Sequence, residues 1–192
     1  MESKYEKTHV QQHQQSILIN FRMRKLQIEQ QQLKYGVPEH LTQQGMYQKA
    51  QINTLLNQLT KIDSSIPAKE IESKIWKLWT THPSEESLTN LLSKGSYYMS
   101  QNQLTTAHNI FSKAIELDPG WAEAWNKRAT VLYLMGNYEL SQKDIEVVLS
   151  LEKRHFGALA GQGMVQTKLK NYEKALESYI AVSYTHLRAH ET

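Results

Sequence analysis

Apolar residues recur along most of this 192-residue chain at the three- and four-residue spacings of amphipathic helices. In the first third of the chain the apolar positions are Ile17, Phe21, Ile28, Leu41, Ile52, Leu55, Leu56, Leu59 and Ile62. Gly36 and Pro38 interrupt this series, which therefore predicts two helices. Ser64 or Ser65 would cap a third helix, in which Ile71, Ile75 and Leu78 share one face.

Beyond Pro83 the pattern repeats with a period of 34 residues. Small residues recur at two registers and large residues at a third. The small sets are Gly95, Ala129 and Gly163, then Ala107, Ser141 and Ala175, and the large set is Phe111, Ile145 and Tyr179. Small residues let two helices approach closely, and large ones fill the space between them. The period therefore predicts an all-α fold of tandem helix pairs.

The first repeat unit is similar to the signature of the tetratricopeptide repeat (TPR) family. The matching residues are Gly95, Tyr98, Ala107, Phe111, Ala114 and Pro119 in the first unit, Trp125, Ala129, Gly136 and Tyr138 in the second, and Gly163, Tyr172, Ala175 and Tyr179 in the third. The second unit departs from the family pattern at Ser141, Val148 and Lys153. The resemblance implies a right-handed α–α superhelix, a TPR solenoid, with units at 88–121, 122–155 and 156–181.

Three further segments flank these repeats. Residues 1–66 are predicted to form a partly flexible helical region, rich in glutamine. Residues 67–87 are predicted to form a capping helix and a linker. The N-terminal helices are expected to cover the first repeat as a cap, with a separate dimerising segment or a loosely attached extension as alternatives. The last segment, "VSYTHLRAHET", abandons the period and resembles one translated frame of a transposase-type sequencing adapter. We therefore expect residues 182–192 to be an adapter artefact and the third repeat to be truncated.

Charge and composition exclude several classes of function. The formal charge is +3. The excess of basic residues lies before Pro67, where the sequence has eight basic and five acidic residues. Such a small surplus is a weak signal for nucleic acid, so we expect no nucleic-acid partner, with binding by the glutamine-rich basic helices as a minor alternative. The chain has no cysteine and no apolar stretch of the roughly 20 residues that a membrane span requires. Without a signal peptide, a cytoplasmic location is expected.

None of the candidate catalytic or metal sites in the sequence is complete. His186 and His190 lie four residues apart, as do His9 and His13, but neither pair has an evident third ligand. The stretch "GALAGQG" lacks the spacing of a dinucleotide or phosphate loop, so its glycines are interpreted as helix-packing residues. We therefore predict no catalytic residue, no metal and no cofactor, and a protein that is not an enzyme.

The four tryptophans are interpreted mainly as core residues. The repeat register places Trp125 between helices, and Trp76 and Trp79 are expected to pack against the first repeat. Trp121 lies at the turn between repeats and is expected to be the most exposed of the four.

The TPR resemblance also implies a concave groove lined by the first helix of each pair. The predicted groove residues are Ser96, Met99, Asn126, Thr130, Tyr133, Met164 and Thr167. This mixture of polar groups, methionines and a tyrosine suits an adaptable protein-binding surface. The chain is therefore predicted to be an interaction scaffold or adaptor that binds a peptide or partner helix. The alternative is a regulatory or substrate-recruiting segment of a longer enzyme whose catalytic domain lies outside this chain.

One class of TPR partner is not supported. Some co-chaperones of the family grip a C-terminal carboxylate with lysine, asparagine and arginine at set groove positions. The corresponding residues here are Leu92, Ser96, Lys127, Gly157 and Gly161. None of the five matches the required residue, so a chaperone carboxylate clamp is not expected.

Overall fold

Eight α-helices account for most of the residues that the computed structural model describes, which are 42–62 and 65–186. The helices are α1 (Gln43–Leu59), α2 (Ser65–Thr80), α3 (Glu86–Ser100), α4 (Leu104–Leu117), α5 (Ala122–Leu134), α6 (Tyr138–Leu151), α7 (Phe156–Lys168) and α8 (Tyr172–His186). No strand occurs within these two ranges, and the all-α prediction is confirmed. The expected helix around Ile17 to Ile28 and the paired histidines His9 and His13 lie outside the described residues, as does His190.

The three helix pairs α3–α4, α5–α6 and α7–α8 stack in chain order, each helix contacting the next. The small and large registers meet between the two helices of a pair. A Cβ atom built on Gly95 would lie 2.5 Å from Cε1 of Phe111, and one on Gly163, two periods later, would lie 2.5 Å from Cε1 of Tyr179. Glycine at these positions therefore allows an aromatic ring of the second helix to contact the backbone of the first.

The signature residues are distributed between the core and the turns. Gly95, Ala107, Phe111, Ala114, Ala129, Gly163 and Ala175 are buried, Tyr98, Pro119, Trp125 and Tyr138 are partly buried, and Gly136, Tyr172 and Tyr179 are exposed. The exposed glycine belongs to a repeating turn. Asn102, Gly136 and Lys170 each follow a first helix at 34-residue intervals, with φ of 57°, 80° and 62°. The backbone amide of the next residue donates back to the last turn of the helix, as from Gln103 to the Tyr98 carbonyl (2.9 Å).

The first helices of the three pairs lie on the inner face of the stack. Helix α3 contacts α5 and α5 contacts α7, whereas α4, α6 and α8 do not approach one another as closely in the described structure. Helices that converge in this way lie on the concave side of a curved repeat array. The predicted groove residues are on these helices.

Helices α1 and α2 pack together and lie along the turns between successive repeats. Their shared apolar cluster includes Ile52, Leu56, Ile75 and Trp79, and it also contains Phe156 from the start of α7. The guanidinium of Arg154 donates to the side-chain carbonyl oxygens of Asn53 and Asn57, each at 2.7 Å. The Nζ atom of Lys49 donates to the Leu151 carbonyl at 3.3 Å. This helix pair therefore reaches beyond the first repeat that it was expected to cap.

The expected exposure of Trp121 is wrong. Its side chain is only 6% exposed, and its Nε1 donates to the main-chain carbonyl of Trp79 at 2.9 Å. The end of α2 covers this turn and removes the indole from solvent. Trp76 and Trp79 also pack around Phe156, at the start of the third repeat rather than in the first, with ring centroids 5.2 and 4.8 Å from it.

Candidate functional site

An open cleft lies between α5 and α7 on the inner face. Its walls are Asn126, Thr130 and Tyr133 from α5 and Gly157, Gly161 and Met164 from α7, and its floor is Ala129, Ser141, Ile145 and Val165. Four of the seven predicted groove residues therefore line one cleft, namely Asn126, Thr130, Tyr133 and Met164. The sequence analysis interpreted the two glycines as helix-packing residues, although they also occupy two of the five clamp positions in the groove.

The other three predicted groove residues do not line this cleft. Ser96 and Met99 belong to α3, where both are half-buried and Met99 packs against the first repeat's core. Thr167 is exposed at the end of α7, beyond the lining residues. The hydroxyls of Ser96 and Thr167 donate to the main-chain carbonyls four residues earlier, at 2.9 and 2.8 Å, as does that of Thr130. These hydroxyl groups can therefore accept a hydrogen bond from a partner, but their own hydrogens are already donated.

A buried polar network fixes one wall of the cleft. Asn126 is 7% exposed and donates from Nδ2 to Oε2 of Glu123 at 3.0 Å. The same oxygen lies 3.0 Å from Nε2 of His155. Because Nδ1 of His155 accepts the Ala158 backbone amide (3.2 Å), Nε2 bears the proton that the carboxylate accepts. Lys127 completes the network, with Nζ 3.3 Å from Oε1 of Glu123.

This network keeps Glu123 ionised although its side chain is fully buried. Burial alone would raise the pKa of the carboxyl group, because it penalises the charged form. The hydrogen bond from His155, the nearby positive charge of Lys127 and the hydrogen bond from Asn126 outweigh burial and lower the pKa below its ordinary value. No sequence pattern indicated this arrangement, because its members lie up to 32 residues apart.

The side chain of Trp76 closes the cleft at the first turns of α5 and α7. The Nζ atom of Lys127 lies 5.9 Å from the centroid of the indole. A Cβ atom on Gly157 would lie 2.6 Å from Cη2 of Trp76. Glycine at position 157 is therefore required by the docking of α2, and the accessible cleft begins beyond this residue.

A second histidine–carboxylate pair stabilises the connection between α2 and the repeats. Nε2 of His82 lies 3.1 Å from Oδ2 of Asp118, and Nδ1 of His82 accepts the Glu85 backbone amide at 3.0 Å. Both side chains are buried. Within residues 42–62 and 65–186 no three histidine, aspartate or glutamate side chains are grouped to hold a metal ion. None of the helices in these ranges is long and apolar enough to cross a membrane.

Comparisons with known proteins agree with this architecture. A family model, tetratricopeptide repeat, matches residues 88–120. A TPR repeat-containing protein of Rhizobium etli is 35% identical over 141 residues, which cover 69% of this chain and 68% of the relative. Hsp70-Hsp90 organizing protein 1 of Glycine max is 30% identical over 86 residues, but these cover 45% of this chain and only 15% of that protein.

A solved structure supports the fold at greater evolutionary distance. The first TPR domain of Spaghetti (RPAP3), bound to the HSP90 peptide SRMEEVD, superimposes with a TM-score of 0.51 at 20% identity. The match covers 52% of this chain and 79% of that domain. Together with the extensive match to the Rhizobium etli relative, the repeated glycine–aromatic packing and the repeated turns show that this chain belongs to the tetratricopeptide repeat family.

Proposed function

We propose that this chain is a protein-interaction module that binds a segment of a partner in the cleft between α5 and α7. The observation that supports this proposal is the position of Asn126, Thr130, Tyr133 and Met164 around one cleft on the inner face. In the Spaghetti domain, a peptide is bound to a TPR domain of similar fold. The proposed activity is binding alone, and no catalytic step is assigned to the chain.

The lining of the cleft favours an uncharged segment. Its ten lining residues include no acidic or basic side chain. Lys127 lies next to the cleft, but its ammonium group is engaged by the Glu123 carboxylate and the Trp76 ring. A neutral surface gains little from charge complementarity, so binding should depend only weakly on ionic strength.

The residues at the five clamp positions also argue against recognition of a C-terminal carboxylate. Leu92 is 2% exposed, and the Ser96 hydroxyl donates to its own helix. Gly157 and Gly161 offer no side-chain donor, and any side chain at position 157 would collide with Trp76. We therefore propose that the partner segment is internal, with no requirement for a free C-terminus.

A peptide selection tests the proposed binding site. The purified chain would be used to select from a random peptide library, and selected peptides would be measured by fluorescence anisotropy. We expect Thr130→Arg, an exposed change in the cleft wall, to weaken binding at least tenfold. The matched variant Thr106→Arg, at an exposed position on α4 outside the cleft, should bind as the unmodified chain does. Failure to select any peptide, or equal binding by both variants, would refute the proposal.

The absence of a carboxylate clamp has a separate test. The peptide SRMEEVD would be titrated in its free-acid and C-terminally amidated forms. We expect no difference between the two forms. A tenfold or greater preference for the free acid would contradict the proposed internal segment while leaving binding by the module intact.

A further inference from the structure

Helix α7 contains three glycines within seven positions, and packing requires only two of them. A Cβ atom on Gly157 would lie 2.6 Å from Trp76, and one on Gly163 would lie 2.5 Å from Tyr179. At Gly161 the nearest atom would be Cδ1 of Ile145 at 3.6 Å, which is an ordinary van der Waals contact. The fold therefore has room for a Cβ atom at position 161.

Glycine at position 161 destabilises α7 without improving the packing of the helix. A glycine inside a helix destabilises it relative to alanine, because its backbone loses more conformational freedom on folding. Packing offsets that cost at Gly157 and Gly163, but nothing in the described structure offsets it at Gly161. What this glycine does provide is an opening in the cleft wall, directly above the side chain of Ile145.

We propose that the opening at Gly161 is an anchor pocket for one large uncharged apolar side chain of the partner segment. The floor of the cleft includes Ile145 and Val165, which are 2% and 1% exposed. Its one polar side chain, Ser141, donates its hydroxyl hydrogen to the Ala129 carbonyl. A charged side chain would lose its hydration here without meeting an opposite charge, since none lines the cleft.

The wall opposite Gly161 supplies a hydrogen-bond acceptor beside the pocket. Asn126 is 7% exposed and uses its amide nitrogen on Glu123. No described residue donates to its Oδ1, although the side chain lines the cleft. The network of Glu123, His155 and Lys127 holds this carboxamide in place. A backbone N–H of an extended segment is the donor that fits, so the pocket would bind an apolar side chain while Asn126 binds the main chain next to it.

This inference rests on the proposed function, and its test uses peptides selected on the unmodified chain. We expect the selected peptides to share a leucine, isoleucine, methionine or phenylalanine at one position. Replacing that residue by alanine should weaken binding at least tenfold. Gly161→Leu should weaken it by a similar factor, because the new side chain fills the pocket. Thr106→Leu adds the same side chain on α4 and should leave binding unchanged.

The possible outcomes separate the two proposals. If peptides bind Gly161→Leu and the unmodified chain equally but lose affinity for Thr130→Arg, the anchor pocket is refuted. The proposed binding site is then still supported. Peptides with a charged residue at the shared position would also overturn the anchor pocket. Circular dichroism and thermal unfolding of Gly161→Leu show whether the variant is folded. If it is not, the alanine replacement in the peptide, measured on the unmodified chain, decides, and a loss of affinity below twofold overturns the anchor pocket.

Discussion

At the scale of single residues, the three glycines of α7 and the glycine of α3 have different physical roles. Gly95 and Gly163 lie against an aromatic ring, whereas a Cβ atom on Gly161 would make only an ordinary van der Waals contact with Ile145. The 34-residue period identified the first two as packing positions. The period separates Gly161 from them, because its equivalents are Lys127 and Ser93, but it does not show that packing tolerates a larger residue there.

We predict that alanine substitutions at Gly95 and Gly161 have opposite effects on stability. Gly95→Ala should lower the free energy of unfolding by about 1–3 kcal/mol, because the new Cβ overpacks against Phe111, which is fully buried. Gly161→Ala should raise it by about 0.5–1 kcal/mol through helix propensity. Urea unfolding of both variants gives the comparison. A loss of stability in Gly161→Ala would mean that packing also requires this glycine.

The buried carboxylate of Glu123 should make stability depend on pH in the acid range. The pKa of this group is lower in the folded chain than its ordinary value of 4.5, so the unfolded chain binds more protons between the two values. Its contribution is therefore present above about pH 4.5 and is lost as pH falls through the folded-state pKa. We expect Glu123→Gln to cost about 1–3 kcal/mol near neutral pH, because the amide oxygen can still accept from Asn126 and His155 but the negative charge beside Lys127 is lost.

The difference between Glu123→Gln and the unmodified chain should then shrink as the pH is lowered below about 4.5. Measuring the free energy of unfolding of both proteins across the acid range removes the contributions of the other carboxyl groups. A difference that stays constant down to the acid transition would show that Glu123 is not the group responsible.

At the scale of helices, the α1–α2 pair is an integral part of the repeat array. Trp79 is 5% exposed, and its ring stacks on His155 with centroids 3.9 Å apart. Its carbonyl accepts the indole hydrogen of Trp121. One residue of α2 thus contacts the turns that precede both α5 and α7.

We predict that Trp79→Ala destabilises the helix pair and the repeats together, by about 3–5 kcal/mol. Hydrogen exchange should show lost protection in α1 and in the first turns of α5 and α7. Ile66→Ala, at a 74% exposed position of the same helix, is the matched control and should change stability by less than about 0.5 kcal/mol. Lost protection confined to α1 and α2 would show instead that the pair unfolds independently.

The helices and their pairing were predictable because each depends on local spacing. The 34-residue period located the small residues, the aromatic partners and the turns between helices. The docking of α1 and α2 was not predictable in the same way. Arg154 contacts Asn53, which lies 101 residues away in the sequence, and the 34-residue period does not indicate this contact. The same docking explains why Trp121 is buried and why Trp76 limits the cleft.

At the scale of the whole molecule, the distribution of charge bears on the partners that the chain selects. The net charge of +3 comes from residues before Pro67, whereas residues 67–181 have thirteen basic and thirteen acidic side chains. Several cations of the repeats are engaged internally. Arg128 forms two hydrogen bonds with the Asp144 carboxylate, at 2.7 and 2.8 Å, and Lys127 lies beside Glu123.

Nucleic-acid binding requires clustered cations that release counterions from phosphates, and its strength therefore falls steeply with salt. Because the cations named above are already paired and the basic surplus is small, we predict no retention of DNA or RNA by this chain in a filter-binding assay at about 50 mM or 200 mM salt. Peptide binding in the neutral cleft should be nearly the same at both concentrations. Retention at the lower salt concentration that disappears at the higher one would instead assign an electrostatic nucleic-acid site to the basic N-terminal region.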